Sequence, residues 1–103
     1  MRIIIIPNDG FVSIDGEIYS GLDLSFVDST IHAVQWYDTE GEIERKDARG
    51  RMIANETITS IDQFQMVLDL WQSAKNQKQL EEAQATQEEA NTQTLQQSNT
   101  TNN

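Results

Sequence analysis

The side chains most capable of chemistry are concentrated between residues 31 and 44. His32 is the only histidine in the 103-residue chain, so a Ser–His–Asp triad would have a single possible base. Four carboxylates follow at alternate positions: Asp38, Glu40, Glu42 and Glu44. Converging carboxylates are typical ligands of calcium. The segment is therefore a candidate for a catalytic site or for a calcium site.

A structural role for His32 is favoured over catalysis. Residues 31–37 have the composition of a β-strand, and strand alternation predicts that His32, Val34 and Trp36 share one face. The same alternation places Ile31, Ala33, Gln35 and Tyr37 on the other face. A histidine beside valine and tryptophan is typically packed or hydrogen-bonded, and no nucleophile-elbow motif accompanies it. The sequence predicts no catalytic residue and no enzyme activity.

The carboxylates fit solvated strand charges better than a metal site. An EF-hand loop needs glycine at its sixth position, whereas Gly41 is fourth when counted from Asp38. Alternation would place Glu40, Glu42 and Glu44 on one face if the strand extends that far. The chain has no cysteine, which excludes disulfides and thiolate ligands. We expect no metal and no cofactor.

A cluster of cations follows the carboxylates: Arg45, Lys46, Arg49 and Arg51. Four cations on a hairpin tip could bind a phosphate, but the chain has neither a P-loop nor a dinucleotide-binding glycine motif. Cross-strand pairing with glutamates explains the first two cations more simply. The candidate partners of Arg45 and Lys46 are Glu42, Glu44 and Glu56. The sequence therefore favours ion pairs over nucleotide binding.

Short apolar and β-branched runs predict the strands that would position these residues. The candidate strands are Arg2–Ile6, a hairpin in Phe11–Tyr19, Ile31–Tyr37, Glu42–Lys46 and Met52–Ile58. In the first hairpin, the pair Asp15-Gly16 supplies the positive φ angles of a tight type I′ turn. A longer turn is predicted at residues 38–41. Residues 21–30 fit either an edge strand or a loop with a short helical turn.

One helix is predicted after the strands, beginning at Thr59 or Ser60. Ser60 and Gln63 have the spacing of a capping box. The apolar stripe of this helix consists of Ile61, Phe64, Val67, Leu68, Trp71 and Ala74. We expect packing against the sheet to end where the stripe ends, at Ala74. The predicted fold class is α+β, a small, mainly antiparallel β-sheet of hairpins followed by one C-terminal helix packed on it.

Composition divides the chain near Asn76. Residues 1–75 contain every aromatic residue and are predicted to form one small α+β domain. Residues 76–103 are a polar tail rich in Gln, Asn and Thr, predicted to be helical from Gln79 to Ala90 and then disordered. The formal net charge of −10 disfavours nucleic acid and anionic membranes as partners. No apolar run approaches the ~20 residues of a membrane span, so we expect a soluble protein.

Four stretches of the sequence resemble a family of small tailed-bacteriophage proteins. They are I-I-I-I-P-N-D-G-F-V, I-D-G-E-I-Y-S-G-L-D-L-S, I-H-A-V-Q-W-Y-D-T-E-G-E-I-E and I-T-S-I-D-Q-F-Q-M-V-L-D-L-W-Q-S-A-K, within residues 1–75. Some members of this family are labelled tail-assembly or tail-fibre-assembly proteins. The resemblance implies a phage protein without a catalytic motif that acts in tail or virion assembly by protein binding. It also implies a location in the host cytoplasm or in the virion.

We therefore expect the partner to be a phage structural or tail protein, and the oligomeric state is left open. The candidate partner-binding residues are Trp36, Tyr37, Arg45, Lys46, Arg49 and Arg51. Trp36 and Tyr37 point to opposite faces of one strand, so one of them should enter the core while the other faces a partner. Aromatic and arginine side chains are the usual anchors of protein interfaces.

A second hypothesis is an acidic inhibitor that mimics DNA and blocks a host DNA-binding enzyme. It requires carboxylates on one continuous surface, at roughly the phosphate spacing of DNA. The carboxylates concerned are Asp9, Asp15, Glu17, Asp23, Asp28 and those of residues 40–44. Carboxylates scattered over all faces would count against this hypothesis.

Overall fold

In this computed structural model, the backbone is described for residues 1–101 and the side chains for residues 1–85. Two units follow one another along the chain, Met1–Gln72 and Ser73–Asn103. The strands are β1 (Arg2–Ile6), β2 (Phe11–Ile14), β3 (Glu17–Tyr19), β4 (Ile31–Tyr37), β5 (Glu40–Arg45) and β6 (Glu56–Ile58). They form one antiparallel sheet in the order β3-β2-β1-β4-β5-β6. The helix α1 (Gln65–Thr101) follows, and the predicted α+β class is confirmed.

Two tight turns connect neighbouring strands of the sheet. Asp15 and Gly16 adopt φ angles of 50° and 85°, as the predicted type I′ turn requires. The second turn is shorter than the predicted segment 38–41, because β4 ends at Tyr37 and β5 already begins at Glu40. Asp38 has a φ angle of 51° in this turn. The returning strand therefore starts earlier than the sequence predicted.

Gly41 consequently lies inside β5, directly opposite Trp36. A Cβ atom at this position would lie 2.5 Å from the carbonyl oxygen of Gln35 and 2.9 Å from Cε3 of Trp36. Both distances are shorter than a van der Waals contact, so the position requires glycine. The absence of a side chain lets the indole ring rest against the backbone of β5.

A β-bulge in β4 changes the face to which its first residues point. The register of β4 against β5 shifts between Ile31 and Ala33, so His32 is the extra residue. Regular alternation resumes at Ala33, and Ile31 is buried together with Trp36 whereas His32 is exposed. The prediction that His32 and Trp36 share a face, with Ile31 on the other, is wrong because a bulge interrupts the alternation.

The helical segment begins later than predicted, with a 3₁₀ turn at Asp62–Phe64. The Ser60 hydroxyl accepts a hydrogen bond from the backbone N–H of Asp62 at 3.2 Å, which is one half of the predicted capping box. The return bond predicted for Gln63 is not formed within the residues that the structure describes. The chain therefore turns into α1 through a tighter first turn.

The core lies between one face of the sheet, the loop of residues 21–30 and the first turns of α1. It consists of Ile3, Ile5, Val12, Leu24, Ile31, Val34, Trp36, Ile43, Ile58, Phe64, Val67 and Trp71. The indole N–H of Trp71 donates to the Glu17 carbonyl at 2.9 Å, and its ring meets the Tyr19 ring edge-on, with centroids 5.7 Å apart. Truncating a buried aromatic residue typically costs about 3–5 kcal/mol, so α1 contributes a large part of the stability.

Three peripheral segments can also be compared with their sequence predictions. Residues 21–30 form a loop, which decides between the two predicted alternatives. Of the predicted last strand, only Glu56–Ile58 is a strand, while Met52 makes an isolated bridge with Lys46. The unit Ser73–Asn103 belongs to α1 as far as Thr101. The disorder predicted after Ala90 concerns residues outside those described with their side chains, and it stays a prediction.

Replacement of Gly41 by alanine tests the contact between Trp36 and β5. The added methyl group must displace the Gln35 carbonyl or the indole ring, so we expect Gly41→Ala to lower the free energy of unfolding by about 1–3 kcal/mol. The measurement is the midpoint of urea denaturation. Glu40→Ala, an exposed substitution on the same strand, should change stability by less than about 0.5 kcal/mol. Equal midpoints for Gly41→Ala and the wild type would contradict the close packing.

Candidate protein-binding face

The sheet has a second face that points away from the core. The side chains on this face, by alternation and register, are Arg2, Ile4, Ile6, Phe11, Ser13, Ile18, Ala33, Gln35, Tyr37, Glu40, Glu42, Glu44 and Thr57. We call this surface the open face, and the core of the unit Met1–Gln72 lies on the opposite side of the sheet. Ile18 is 55% exposed. Apolar and charged groups are thus presented together on a surface built from strands.

Tyr37 is the aromatic residue of β4 that reaches the open face. It is 48% exposed, while Trp36 is only 4% exposed, which confirms that one of the pair enters the core and the other faces outward. The guanidinium carbon of Arg2 lies 5.0 Å from the centroid of the Tyr37 ring, the geometry of a cation–π contact. Trp36, a predicted partner-binding residue, cannot reach a partner while the domain is folded.

A chain of hydrogen bonds orients the polar groups of the open face. Arg2 Nη2 donates to the Tyr37 hydroxyl at 3.3 Å, and the hydroxyl donates to Gln35 Oε1 at 3.1 Å. Gln35 Nε2 in turn donates to a carboxylate oxygen of Glu44 at 3.4 Å. The ring of Tyr37 is therefore held in one orientation before any partner binds, which reduces the entropy that binding must overcome.

The part of the open face along β5 is acidic. Glu40, Glu42 and Glu44 lie on this face because β5 begins early enough for all three to alternate with buried positions. A shallow depression of about 420 Å³ is lined by Tyr37, Glu40, Gly41, Glu42 and Thr57. Asn55 Nδ2 donates to a carboxylate oxygen of Glu42 at 3.2 Å. Among residues described with side chains, no group of three or more His, Cys, Asp or Glu is arranged to hold a metal.

Arg45 forms ion pairs within the domain rather than presenting a free charge to a partner. Its guanidinium contacts the Glu56 carboxylate at 2.9 Å and the Asp28 carboxylate at 3.3 Å, and it donates to the Thr30 hydroxyl at 3.0 Å. The predicted pairing of Arg45 with Glu56 is confirmed. The hydrogen bond with Glu56 is the main cause of a raised pKa for Arg45, and the charge of Asp28 adds to it. Arg45 thus joins the loop of residues 21–30 to β5 and β6.

Arg49 and Arg51 lie in a loop whose backbone is fixed by one carboxylate. Asp47 Oδ1 accepts hydrogen bonds from the backbone N–H groups of Arg49 and Arg51, each at 2.9 Å. The N–H of Asp47 donates to the Arg51 carbonyl at 2.8 Å, and that of Gly50 donates to the Asp47 carbonyl at 3.0 Å. Both arginine side chains are exposed. Of the six predicted partner-binding residues, Tyr37, Arg49 and Arg51 are thus exposed, while Lys46 is half-buried.

Two members of the open face, Arg2 and Ile18, were missed from the sequence. Alternation in M-R-I-I-I-I would have placed Arg2 beside Ile4 and Ile6, and alternation in β3 would have placed Ile18 opposite Tyr19. That signal was present, but it does not say which face of the sheet the helix covers. The open face could be recognised only once the core side was known.

The carboxylates needed for a DNA mimic are distributed over several parts of the domain. Asp9 follows the end of β1, whereas Asp15 accepts a hydrogen bond from the Arg2 N–H near its beginning. Asp28 is engaged by Arg45 near the core side, and Glu42 lies on the open face. This distribution does not provide a single row of carboxylates.

Known proteins provide no further guide to the function of this face. No protein-family model, no curated protein and no solved structure matches the chain. Over the residues that the structure describes, no helix combines the length and apolar composition needed to cross a membrane. The geometry of the chain itself is therefore the basis for assigning a role.

The pKa of Asp28 gives a test of its ion pair with Arg45. Hydrogen bonds from the Thr30 N–H and hydroxyl, with the charge of Arg45, hold the pKa of Asp28 below its ordinary value of 3.8. A carboxylate with a lowered folded pKa stabilises the fold above its unfolded pKa, and this contribution is lost as pH falls through the folded pKa. We expect Asp28→Asn to lower the urea midpoint at pH 7 and to have less effect at low pH, where the folded carboxyl becomes protonated.

The control for this substitution is Asp9→Asn, which removes an exposed carboxylate that makes no hydrogen bond in the part of the chain described with side chains. It changes the net charge equally and should leave the midpoint nearly unchanged at both pH values. A destabilisation by Asp28→Asn that was the same at pH 7 and at low pH would contradict the role of the ionised carboxylate.

Proposed function

We propose that this chain is a non-enzymatic bacteriophage protein that acts in tail or tail-fibre assembly, or as a minor virion component, by binding a phage structural protein. The binding surface is the open face around Tyr37. One observation carries the proposal: an aromatic ring, pre-oriented by Arg2 and Gln35, is exposed on a sheet face that lies opposite the core. The resemblance of residues 1–75 to small tailed-phage proteins supplies the biological setting.

The energetics of interfaces support this use of the face. Tyrosine and arginine are enriched among the residues that dominate binding energy, and they act best when an apolar surround excludes water. Tyr37 has Arg2 directly over its ring, and Ile4 lies on the same face next to the pair Arg2–Tyr37. The exposed Ile18 extends the apolar area towards the β3 edge. The role of the domain is then to present this patch on a rigid sheet.

The position of the residues suited to chemistry supports a binding role over catalysis. His32 is exposed at the bulge of β4, where Ala33 and Ile31 flank it. It makes no hydrogen bond to a carboxylate or hydroxyl among the residues described with side chains, so it has no partner that would orient it as a general base. Protein contact remains the activity that the geometry favours.

Co-purification during phage growth tests this function. The affinity-tagged chain is expressed in cells in which the phage that encodes it is multiplying, and the phage tail and structural proteins that co-purify are quantified. We expect Tyr37→Ala to reduce their recovery about tenfold or more, as for an interface residue worth at least ~1.4 kcal/mol. Tyr37→Phe, which keeps the ring but removes the hydroxyl, should reduce it less.

The matched control is Met66→Ala, which truncates a 64% exposed side chain on α1 rather than on the open face. Its recovery of tail proteins should equal that of the wild type. If the wild-type chain recovered no tail or structural protein, or if Tyr37→Ala recovered as much as Met66→Ala, the proposed function would be wrong.

A further inference from the structure

Two surfaces of the domain have opposite charge. The first is the acidic depression, the part of the open face lined by Tyr37, Glu40, Glu42 and Thr57. The second is the basic loop, Arg49–Ile53, in which two cations are followed by Met52 and Ile53, which are 53% and 48% exposed. One surface is an acidic depression lined in part by an aromatic ring, and the other is a basic turn followed by two exposed apolar side chains.

The cations of the basic loop are available for an external partner. Among residues described with side chains, neither Arg49 nor Arg51 makes a side-chain hydrogen bond or ion pair, in contrast to Arg45. Asp47, the carboxylate two residues before the basic loop, accepts hydrogen bonds from backbone N–H groups of the loop. The loop is therefore a pre-formed turn, and binding would not have to order its backbone.

The two surfaces lie towards opposite ends of β5 in one molecule. Glu40 is the first residue of β5 and Arg45 is the last, so the strand separates them by about 17 Å at ~3.3 Å per residue. The basic loop continues from the Arg45 end, and β6 returns from it antiparallel to β5. The acidic depression lies towards the opposite end of β5, so the basic loop and its complementary charges are separated along the sheet.

We propose that the basic loop of one molecule docks into the acidic depression of a second copy of this chain. Arg49 and Arg51 pair there with Glu40 and Glu42, while Met52 contacts the Tyr37 ring. This inference rests on the proposed binding role of the open face and names a second copy as one of its partners. Arg49 and Arg51 are alternate residues, as are Glu40 and Glu42, whose side chains are about 7 Å apart along the strand.

Charge favours this arrangement over contact between copies in arbitrary orientations. The chain carries a formal net charge of −10, so two molecules in arbitrary orientations repel each other. Docking the basic loop on the acidic depression brings opposite charges together. The interface joins two different surfaces, which makes it heterologous, and repetition of such a contact gives a ring or a linear chain rather than a twofold dimer.

Sedimentation velocity of the purified full-length chain tests the inference. Over rising protein concentration, the mean sedimentation coefficient should increase in about 10 mM salt and stay that of a monomer in about 1 M salt, where the Debye length falls from ~30 Å to ~3 Å. The double substitution Arg49→Glu with Arg51→Glu should weaken association at least about tenfold. So should Glu40→Lys with Glu42→Lys.

Mixing the two charge-reversed proteins provides the sharpest result. In each one alone, the loop and the depression carry the same sign and repel. In the mixture, the acidic loop faces a basic depression and the basic loop faces an acidic one, so association should return. The control carries Asp9→Lys and Asp62→Lys. It changes the net charge as much as Glu40→Lys with Glu42→Lys does, but outside the two surfaces, and it should associate at least as well as the wild type.

Several results would overturn the inference. They are a monomer at every concentration in low salt, association unaffected by both charge reversals, and a mixture that stays monomeric. Urea denaturation verifies that each variant is folded. A charge-reversed variant that does not fold is replaced by the glutamine variant at the same two positions, Arg49→Gln with Arg51→Gln or Glu40→Gln with Glu42→Gln. If a strictly monomeric chain recovers tail proteins, self-association is rejected and the proposed function stands. If the chain self-associates but recovers no tail protein, the proposed function is rejected and self-association stands.

Discussion

The contact between the Trp36 ring and the backbone of Gly41 is the constraint on which the rest of the domain depends. A glycine at this point of β5 leaves room for the indole, and the indole belongs to the same core cluster as Val67 and Trp71. The buried indole N–H has no partner among the residues described, a cost that the packing of the ring must exceed. Because neighbouring residues of a strand point to opposite faces, fixing Trp36 inside turns Tyr37 outward. Fixing Gly41 inside likewise turns Glu40 and Glu42 outward.

The bulge at His32 allows both ends of β4 to contribute a side chain to the core, Ile31 at one end and Trp36 at the other. Without an extra residue, regular alternation from Trp36 would bury His32 and expose Ile31. With it, Ile31 joins the core and pairs with Arg45 across the ladder. The guanidinium of Arg45 can then reach both Asp28 and Glu56. The same irregularity thus removes the histidine from the core and builds the ion pairs that hold the loop of residues 21–30 to the sheet.

Sequence patterns predicted β1 to β4, the Asp15-Gly16 turn and the apolar stripe of the helical segment, because each depends on local periodicity or on the φ angles of two residues. The bulge was not predictable in this way, since it is defined by pairing with a second strand. Which of Trp36 and Tyr37 is buried was also open, because both are aromatic and only the position of Gly41 opposite one of them decides. Among the arginines, Arg45 and Arg51 look alike in sequence, and their different roles follow from the contacts that β6 brings to Arg45 alone.

The opposite orientation of Trp36 and Tyr37 is the central claim, and hydroxyl-radical footprinting of the folded chain tests it most directly. Oxidation of each residue is measured by mass spectrometry and divided by its intrinsic reactivity, then compared between native and urea-unfolded protein. The structure predicts that Tyr37 and Ile18 are oxidised in the native state, while Trp36 is protected until the domain unfolds. Native-state oxidation of Trp36 at a rate equal to that of Tyr37 would contradict the assignment of the two faces, and with it the open face as a binding surface.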